Sequence, residues 1–525
     1  MAEASLIATL VTPPSAGAAE LTALPDQVEW LEVRSDVVGD LNPEWLRDHF
    51  RGRLLYSLRS RDEGGNCSDS VDQRRHRLTM AARHYDRVEL QGSKDLSPGL
   101  LAEIPIEKRL ISWHGPACSL SELKTRFMQL SSVPANMYKL VTSTNKICDE
   151  LTSLSFLKAL GRSDIVAYST GPLGFWTRLI ALQLGAPAIS GMVTDVAGNS
   201  GEPTVKQLIE DYGLPEVWPA KELFAIIGDP IFHSLSPRLH NSAYRARNYP
   251  ALFVPLRVES FAEFWREVIQ SRVLDSLGLP MNGMTVASPH KEAALLIAKM
   301  ISPMARQAES ANILVRNNGW WNADTTDPEV IYMASREGGI KMRKKRAAVI
   351  GCGGAGRAIA AALAKSGAGV TLINRGAERG HHAAQLLGLP YFPLLDFSAE
   401  GYDIVVNATP VGRNDNGVPF ELETLNDEVV IIDLVYGSSP TRLVENSLAR
   451  EQVVIEGRDV LLTQVVRQFL MMTGYEMPTD TMADLLGRRT ALSDVAHSDA
   501  DGRPNPKIPG TDELEPRCIS EPRGF

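Results

Sequence analysis

The stretch RAAVIGCGGAGRAIAAALAKSG, residues 346–367, decides how the second half of this 525-residue chain folds. RAAVI reads as a short buried strand and the alanine-rich run after it as a helix. Between them Gly351, Gly353 and Gly356, enclosing Gly354 and Ala355, make a G-x-G-x-x-G turn. Glycines there allow a tight turn and let a pyrophosphate approach the backbone at the helix amino terminus. The spacing alone says little, but its place between strand and helix points to a dinucleotide. The next strand ends in VTLINRGAER. A site for a free ribose 2′-hydroxyl usually carries an acidic residue at that point, whereas Asn374, Arg375 and Arg379 suit a 2′-phosphate, so the cofactor expected is NADP.

Working outward, DIVVNATP and VVIIDLVY continue the same nucleotide lobe, placed at 340–465. FAIIGDP, LFVPLRV and GMTVAS begin an earlier α/β lobe at 222–332, and a helix around VLLTQVVRQFLMMTG is predicted to return the chain to it, with 466–490 completing that lobe. Before it lies LPEVWPAKE, residues 214–222, with two prolines and no period, which reads as a linker. Residues 1–215 alternate short apolar runs (SLIATLV, VEWLEV, RLLYSL, RVEL, RLISW, MYKLVT, DIVAYS and APAISGM) with room for a helix after each. That pattern predicts a (β/α)8 TIM barrel, and the whole chain is expected to be α/β. The polar, proline-rich residues 493–525 are expected to form a disordered tail with no catalytic role.

A net charge of −9 argues against a nucleic-acid partner, and no apolar run reaches the ~18 residues that span a bilayer. Five scattered cysteines without metal spacing fit a reducing compartment, and a cytoplasmic monomer or weak homodimer without bound metal is expected.

In the barrel half, alternation along strands puts Glu32, Arg34 and Asp36 on one face. Arg59 with Glu63-Gly64-Gly65, and His114 after Ser112, repeat the arrangement, and Lys139 lies in MYKLVT. Each has an ordinary structural explanation: a salt bridge, a hydrogen-bonded histidine, a lysine reaching solvent. Arginines, a histidine and a lysine at successive barrel strand ends are more than a structural account requires. The set resembles the type I 3-dehydroquinate dehydratases, with Arg178 completing it. The resemblance implies an imine between Lys139 and a substrate ketone, with desolvation and nearby cations freeing the amine. It implies His114 as the proton-transfer group, Glu63 orienting it, Arg178 holding the substrate carboxylate, and Glu32, Arg34 and Arg59 binding substrate or ordering loops. In the closing loop, GNSGEPT, Glu202 stands where the family has glutamine, which predicts altered closure and weaker affinity.

In the second half, FAIIGDPIFHSLSPRLHNSAY resembles the opening of the shikimate dehydrogenases. That resemblance implies carboxylate binding by Ser234 and Ser236, and a catalytic pair of Lys291, from PHK, with Asp327, from TTDPE. It further implies substrate contacts from Asn312, Gln464 and Tyr436, and cofactor contacts from the loop bearing Asn407 and Thr409. Thr285, Ala287, Ile313 and Thr325 depart from the family's usual asparagine and threonine pattern, so some hydrogen bonds to substrate are expected to be missing. Together the resemblances imply dehydration of 3-dehydroquinate followed by NADPH-dependent reduction to shikimate. The rivals are a second half turned toward quinate or another polyol, a catalytically silent regulatory half, and an aldolase-like barrel.

Overall fold

The computed structural model describes residues 2–15, 17–144, 146–171, 174–194, 202–232, 234–336, 339–413, 415–437, 439–478 and 485–486. The expected tail at 493–525, and most of the GNSGEPT loop, lie outside them.

All eight strands expected in the first half form: β1 (Ser5–Leu10), β2 (Trp30–Arg34), β3 (Arg53–Ser57), β4 (Arg87–Gln91), β5 (Arg109–Pro116), β6 (Met137–Ser143), β7 (Ile165–Thr170) and β8 (Ala188–Met192). They make one 8-stranded parallel sheet, in the order β7-β6-β5-β4-β3-β2-β1-β8. Among the described residues no hydrogen-bonded pairing joins β7 to β8, so the barrel is nearly closed. Strand alternation stacks its interior in layers. Ile7, Trp30, Leu55, Leu110, Met137, Val166 and Ala188 form a separate apolar cluster across the base. Two residues further along the same strands come Thr9, Glu32, Ser57, Ser112, Lys139 and Tyr168, a layer mostly of polar side chains.

Helix α1 (Ile147–Leu160) follows β6, and α2 (Phe175–Gln183) crosses from β7 to β8. Every residue of α2 from Phe175 to Leu182 is buried, because the helix packs on β7 and β8 and also meets β10 of the second half. Helix α3 (Val205–Tyr212) ends the barrel. The segment read as a linker is bonded on both sides. Glu216–Val217 pairs antiparallel with Ala2–Glu3, and the Trp218 indole donates to the Tyr249 carbonyl at 2.8 Å.

The second half begins with a six-stranded mixed sheet of β9 (Glu222–Gly228), β10 (Ala251–Arg257), β11 (Met281–Val286), β12 (Met300–Ile301), β13 (Ile313–Asn317) and β14 (Trp320–Asp324), in the order β10-β9-β11-β13-β14-β12. Helix α4 (Ser236–Ala246) packs on it. Strands β13 and β14 form a hairpin turning at Asn318 and Gly319, both at positive φ (51° and 81°), which Asn-Gly adopts with little strain. The third sheet is six parallel strands, β15 (Arg346–Ile350), β16 (Gly369–Asn374), β17 (Tyr391–Pro393), β18 (Ile404–Asn407), β19 (Val430–Asp433) and β20 (Val453–Ile455), in the order β17-β16-β15-β18-β19-β20. Helix α5 (Gly354–Lys365) leaves β15. Helix α6 (Gly457–Thr473) packs on the mixed sheet, where Leu461, Leu462, Val465, Phe469 and Met472 join Phe224, Tyr244 and Phe253.

Candidate active sites

The polar layer of the barrel is a compact charge network. Lys139 Nζ lies 3.7 Å from Glu32 Oε1 and 3.9 Å from Glu89 Oε1. Burial pulls the Lys139 ammonium down, but the two carboxylates outweigh it and hold the group above the ordinary lysine value. The expectation of a readily freed amine is thus reversed in the resting site, where carboxylates rather than cations are its nearest neighbours. Glu89 is pushed up by burial and brought well below the usual carboxylate range by Lys139, then Arg59 and His114. Burial, and next the Arg59 charge, depress the His114 imidazole to about 4, so it is neutral at pH 7.

His114 Nε2 lies 3.8 Å from the same Glu89 Oε1, and its Nδ1 lies 3.5 Å from Glu63 Oε2. Glu63 accepts from the backbone N–H of His114 at 3.0 Å and from the Ser93 hydroxyl at 2.8 Å. It therefore anchors the strand end that carries the ring. Arg34 makes a bidentate pair with Asp36, both bonds 2.8 Å, and Asp36 accepts from the Asn66 backbone. This pins the loop after β3 over the site. Arg59 Nε is buried and forms no hydrogen bond in this arrangement. Arg178, on α2, lies over the Tyr168 ring at 4.5 Å and donates to Glu202. A cavity of about 580 Å³ opens beside Glu63 and His114, lined also by Lys94, Trp113 and Arg126.

Glu89 belongs to this network although it is not among the residues that the sequence singles out. In RVELQ, Arg87, Glu89 and Gln91 alternate just as Glu32 and Arg34 do, and that signal was available.

The second site is built by the hairpin. Register pairs Ile313 with Asp324, which brings Asn312 against Thr326 and Asp327. Lys291 Nζ donates to both Asp327 oxygens, at 3.0 and 2.7 Å. Asn312 Nδ2 and Gln464 Nε2 also donate to Asp327 Oδ1, at 3.0 and 2.9 Å. Of the four residues that depart from the family pattern, the two threonines bond within the protein: Thr325 Oγ1 faces Asp327 Oδ2 at 3.4 Å, and Thr285 Oγ1 donates to Gln468 at 3.2 Å. Gln468 in turn donates to Thr326 at 3.0 Å. This second glutamine lies one helical turn beyond Gln464 and is likewise not singled out by the sequence. Ser234 and Ser236 lie at the start of α4, the Ser236 N–H donating to Ser234 Oγ at 3.2 Å. Burial raises the Tyr436 phenol, and the Ser234 hydroxyl near it acts against that shift.

The glycine turn fits a dinucleotide. A Cβ on Gly356 would lie 1.8 Å from the Gly351 carbonyl oxygen, and one on Gly354 would lie 2.1 Å from Ser310 Oγ; Gly351 has φ +102°. Asn374 Oδ1 accepts from the Cys352 N–H at 3.1 Å and braces the turn. Arg375 and Arg379 are exposed. Asn407 is fully buried: it donates to Asp433 at 2.9 Å and accepts from the Thr409 hydroxyl at 2.7 Å. Its side chain is committed to shaping the loop, which departs from the direct cofactor contact expected of it. Arg357, buried on α5, binds the Ala308 and Glu309 carbonyls and Glu292, tying the nucleotide lobe to the lobe that holds Lys291.

A lysine-centred barrel joined to a two-lobed dinucleotide enzyme defines a fused pair of catalysts. Residues 9–217 match the type I 3-dehydroquinase family, and residues 226–314 match the shikimate dehydrogenase substrate-binding domain. The chain belongs to both families, as a fusion of type I 3-dehydroquinase and shikimate dehydrogenase. It is 24% identical over 493 residues to a chloroplastic bifunctional 3-dehydroquinate dehydratase/shikimate dehydrogenase of Arabidopsis thaliana, covering 87% of this chain and 80% of that one. It is 32% identical over 265 residues to the NADP shikimate dehydrogenase of Methanothrix thermoacetophila, covering 50% of this chain and 95% of the relative. The crystal structure of a Thermus thermophilus shikimate 5-dehydrogenase with NADP(H) and shikimate covers 50% of this chain and 97% of its own, at 29% identity and TM-score 0.45.

Proposed function

We propose that this chain dehydrates 3-dehydroquinate to 3-dehydroshikimate in the barrel and reduces that product to shikimate with NADPH in the second half. The observation that carries the reading is the pair of separate lysine centres: Lys139 buried among carboxylates beside a neutral histidine, and Lys291 held by Asp327. In the first site Lys139 must lose a proton before its amine attacks the ketone. Glu89 Oε1 lies between Lys139 and His114 and links them as a proton route. The amine adds to the carbonyl, water leaves, and the resulting imine takes up the electrons released when His114 removes the α-proton. His114 then returns that proton to the departing hydroxyl, and hydrolysis of the imine frees Lys139. Arg178 holds the substrate carboxylate once Glu202 withdraws.

In the second site NADPH, when bound at the glycine turn with Arg375 and Arg379 on its 2′-phosphate, supplies the hydride. Lys291 donates a proton to the oxygen that becomes the hydroxyl, while Asp327, fixed by Asn312 and Gln464, aims the ammonium. Ser234, Ser236 and Tyr436 bind the carboxylate. One observation favours a second reading for this half, a related polyol: Ala287 and Ile313 offer the substrate no side-chain hydrogen bond, and Thr285 is bonded to Gln468. The ligands are small anions rather than nucleic acid or membrane. No helix among the described residues is long and apolar enough to cross a membrane. Cys67, Cys118, Cys148 and Cys352 are unpaired, which fits a reducing compartment such as the cytoplasm.

The test supplies 3-dehydroquinate and NADPH and follows NADPH loss together with shikimate formation. No NADPH loss with intact protein would sink the paired reading. Borohydride should add substrate mass to the Lys139 peptide, and a trapped peptide elsewhere would remove the imine assignment.

A further inference from the structure

The segment that carries the serines of the second site meets the barrel on both sides of them. The buried face of α4, Leu239, Ala243 and Tyr244, packs on the mixed sheet and sets the roll of the helix. Its first turn has a different anchor. Arg238 Nε donates to Asp211 Oδ1 at 2.7 Å, and Arg238 Nη2 donates to Glu210 Oε2 at 2.6 Å. Both carboxylates belong to the last turn of α3, a barrel helix. One turn along α4, Asn241 Nδ2 donates to the Asp211 carbonyl at 3.1 Å and to the Phe253 carbonyl at 3.0 Å, joining α3, α4 and β10 at a single side chain. The loop before Ser234 is held from the barrel as well. The Phe232 ring lies 6.3 Å from Phe175 on α2, and Phe175 lies 6.2 Å from Tyr212 at the end of α3.

We infer that Arg238 is a positioning residue for the dehydrogenase: by fastening the first turn of α4 to Asp211 and Glu210, it makes the barrel set the place of the serine clamp. The inference rests on the reading of Ser234 and Ser236 as the carboxylate site. Its physical basis is leverage. A helix held on a sheet by its apolar face keeps its roll, but its leading turn can still shift along the surface. A fork-shaped guanidinium shared between two carboxylates removes that freedom in two directions. The Arg238 and Asp211 side chains are 22% and 14% exposed, so solvent screens the contact only in part. The clamp touches substrate before and after hydride transfer alike, so its displacement weakens binding without slowing chemistry.

In the full-length protein, Arg238→Ala should raise the KM for shikimate about threefold to tenfold, the scale of a partly screened charged contact. It should leave kcat, the KM for NADP and the dehydration of 3-dehydroquinate unchanged; the last also reports that the barrel is folded. Asp211→Asn should raise the shikimate KM too, and the double variant should add little to the larger single effect. Arg238→Lys, which reaches one carboxylate, should recover part of the loss. An unchanged shikimate KM in Arg238→Ala, additive effects in the double variant, or a parallel fall in kcat and NADP affinity would overturn the inference. Wild-type protein that binds shikimate without oxidising it would refute the function proposed for this half. The shikimate Kd of the same variants, measured calorimetrically, would then decide the tie: raised in Arg238→Ala if it holds, equal to wild type if it does not.

Discussion

Glu202→Gln should tighten the dehydratase's hold on its substrate. Arg178 is buried, lies over Tyr168, and points one guanidinium nitrogen at the Glu202 carboxylate and another at the Ser190 carbonyl, 3.2 Å away. An incoming carboxylate must displace an internal one, and Arg178 holds Glu202 below the usual carboxylate range, so the competitor is charged at neutral pH. A hydrogen bond to a charged group contributes ~1.5–3 kcal/mol. The Glu202 side chain is 29% exposed, and discounting for that screening leaves about 1–2 kcal/mol of competition. With ~1.4 kcal/mol to a decade, the amide should lower the KM for 3-dehydroquinate about fivefold to thirtyfold. The rate at saturation should change little, since Lys139, His114 and Glu89 are untouched. Initial rates of enone formation from 3-dehydroquinate at fixed ionic strength measure this directly. A KM equal to or above the wild-type value in Glu202→Gln would show that the glutamate assists substrate binding, and the competition argument would fail.

Four further outcomes follow from the geometry. His114 titrates near 4 in the folded protein against 6.5 when free, so the acid limb of dehydratase kcat/KM should fall near pH 4 rather than near 6.5. Because the unfolded chain binds the extra proton first, His114 should also make stability rise with pH between about 4 and 6.5, a slope that His114→Asn should reduce in chemical denaturation. Lys291→Ala and Asp327→Asn should each cut kcat for shikimate oxidation by ~10²–10⁴ while dehydration continues at the wild-type rate, and near-normal turnover in either would refute the pair. Arg375→Ala should raise the KM for NADP about tenfold and leave that for NAD unchanged, because only NADP carries the 2′-phosphate; equal effects on both cofactors would remove Arg375 from that role.

The architecture could be read in the sequence wherever a local rule governs it. The barrel strands alternate, the glycine turn sits between strand and helix, and Asn374 with two arginines stands where an acid would otherwise be. What no local rule reveals depends on neighbours distant in the chain. Lys139 looks isolated in MYKLVT, yet the two carboxylates that raise its pKa come from β2 and β4. The role of Gln468 emerges only when α6 returns to the mixed sheet and meets Thr285 and Thr326. The stretch at 214–222 has a linker's composition, but its bonds to Ala2–Glu3, Gln183 and Tyr249 are tertiary. Asn407 belongs to a motif whose position was readable and whose direction was not.

The barrel's unpaired edges, β7 and β8, have a practical consequence. Helix α2 bridges that gap, and a barrel's outer helix ordinarily keeps one polar side for water. Here Phe175 to Leu182 are buried all round, because α1 of the barrel and β10 of the dehydrogenase share the sides not turned to the strands. The second enzyme therefore lends part of the cover over this helix: without β10, α2 would expose apolar surface beside an unpaired sheet edge, a combination that favours aggregation. Fusion in this chain therefore shields apolar surface of the first catalyst, independently of any benefit from sharing an intermediate.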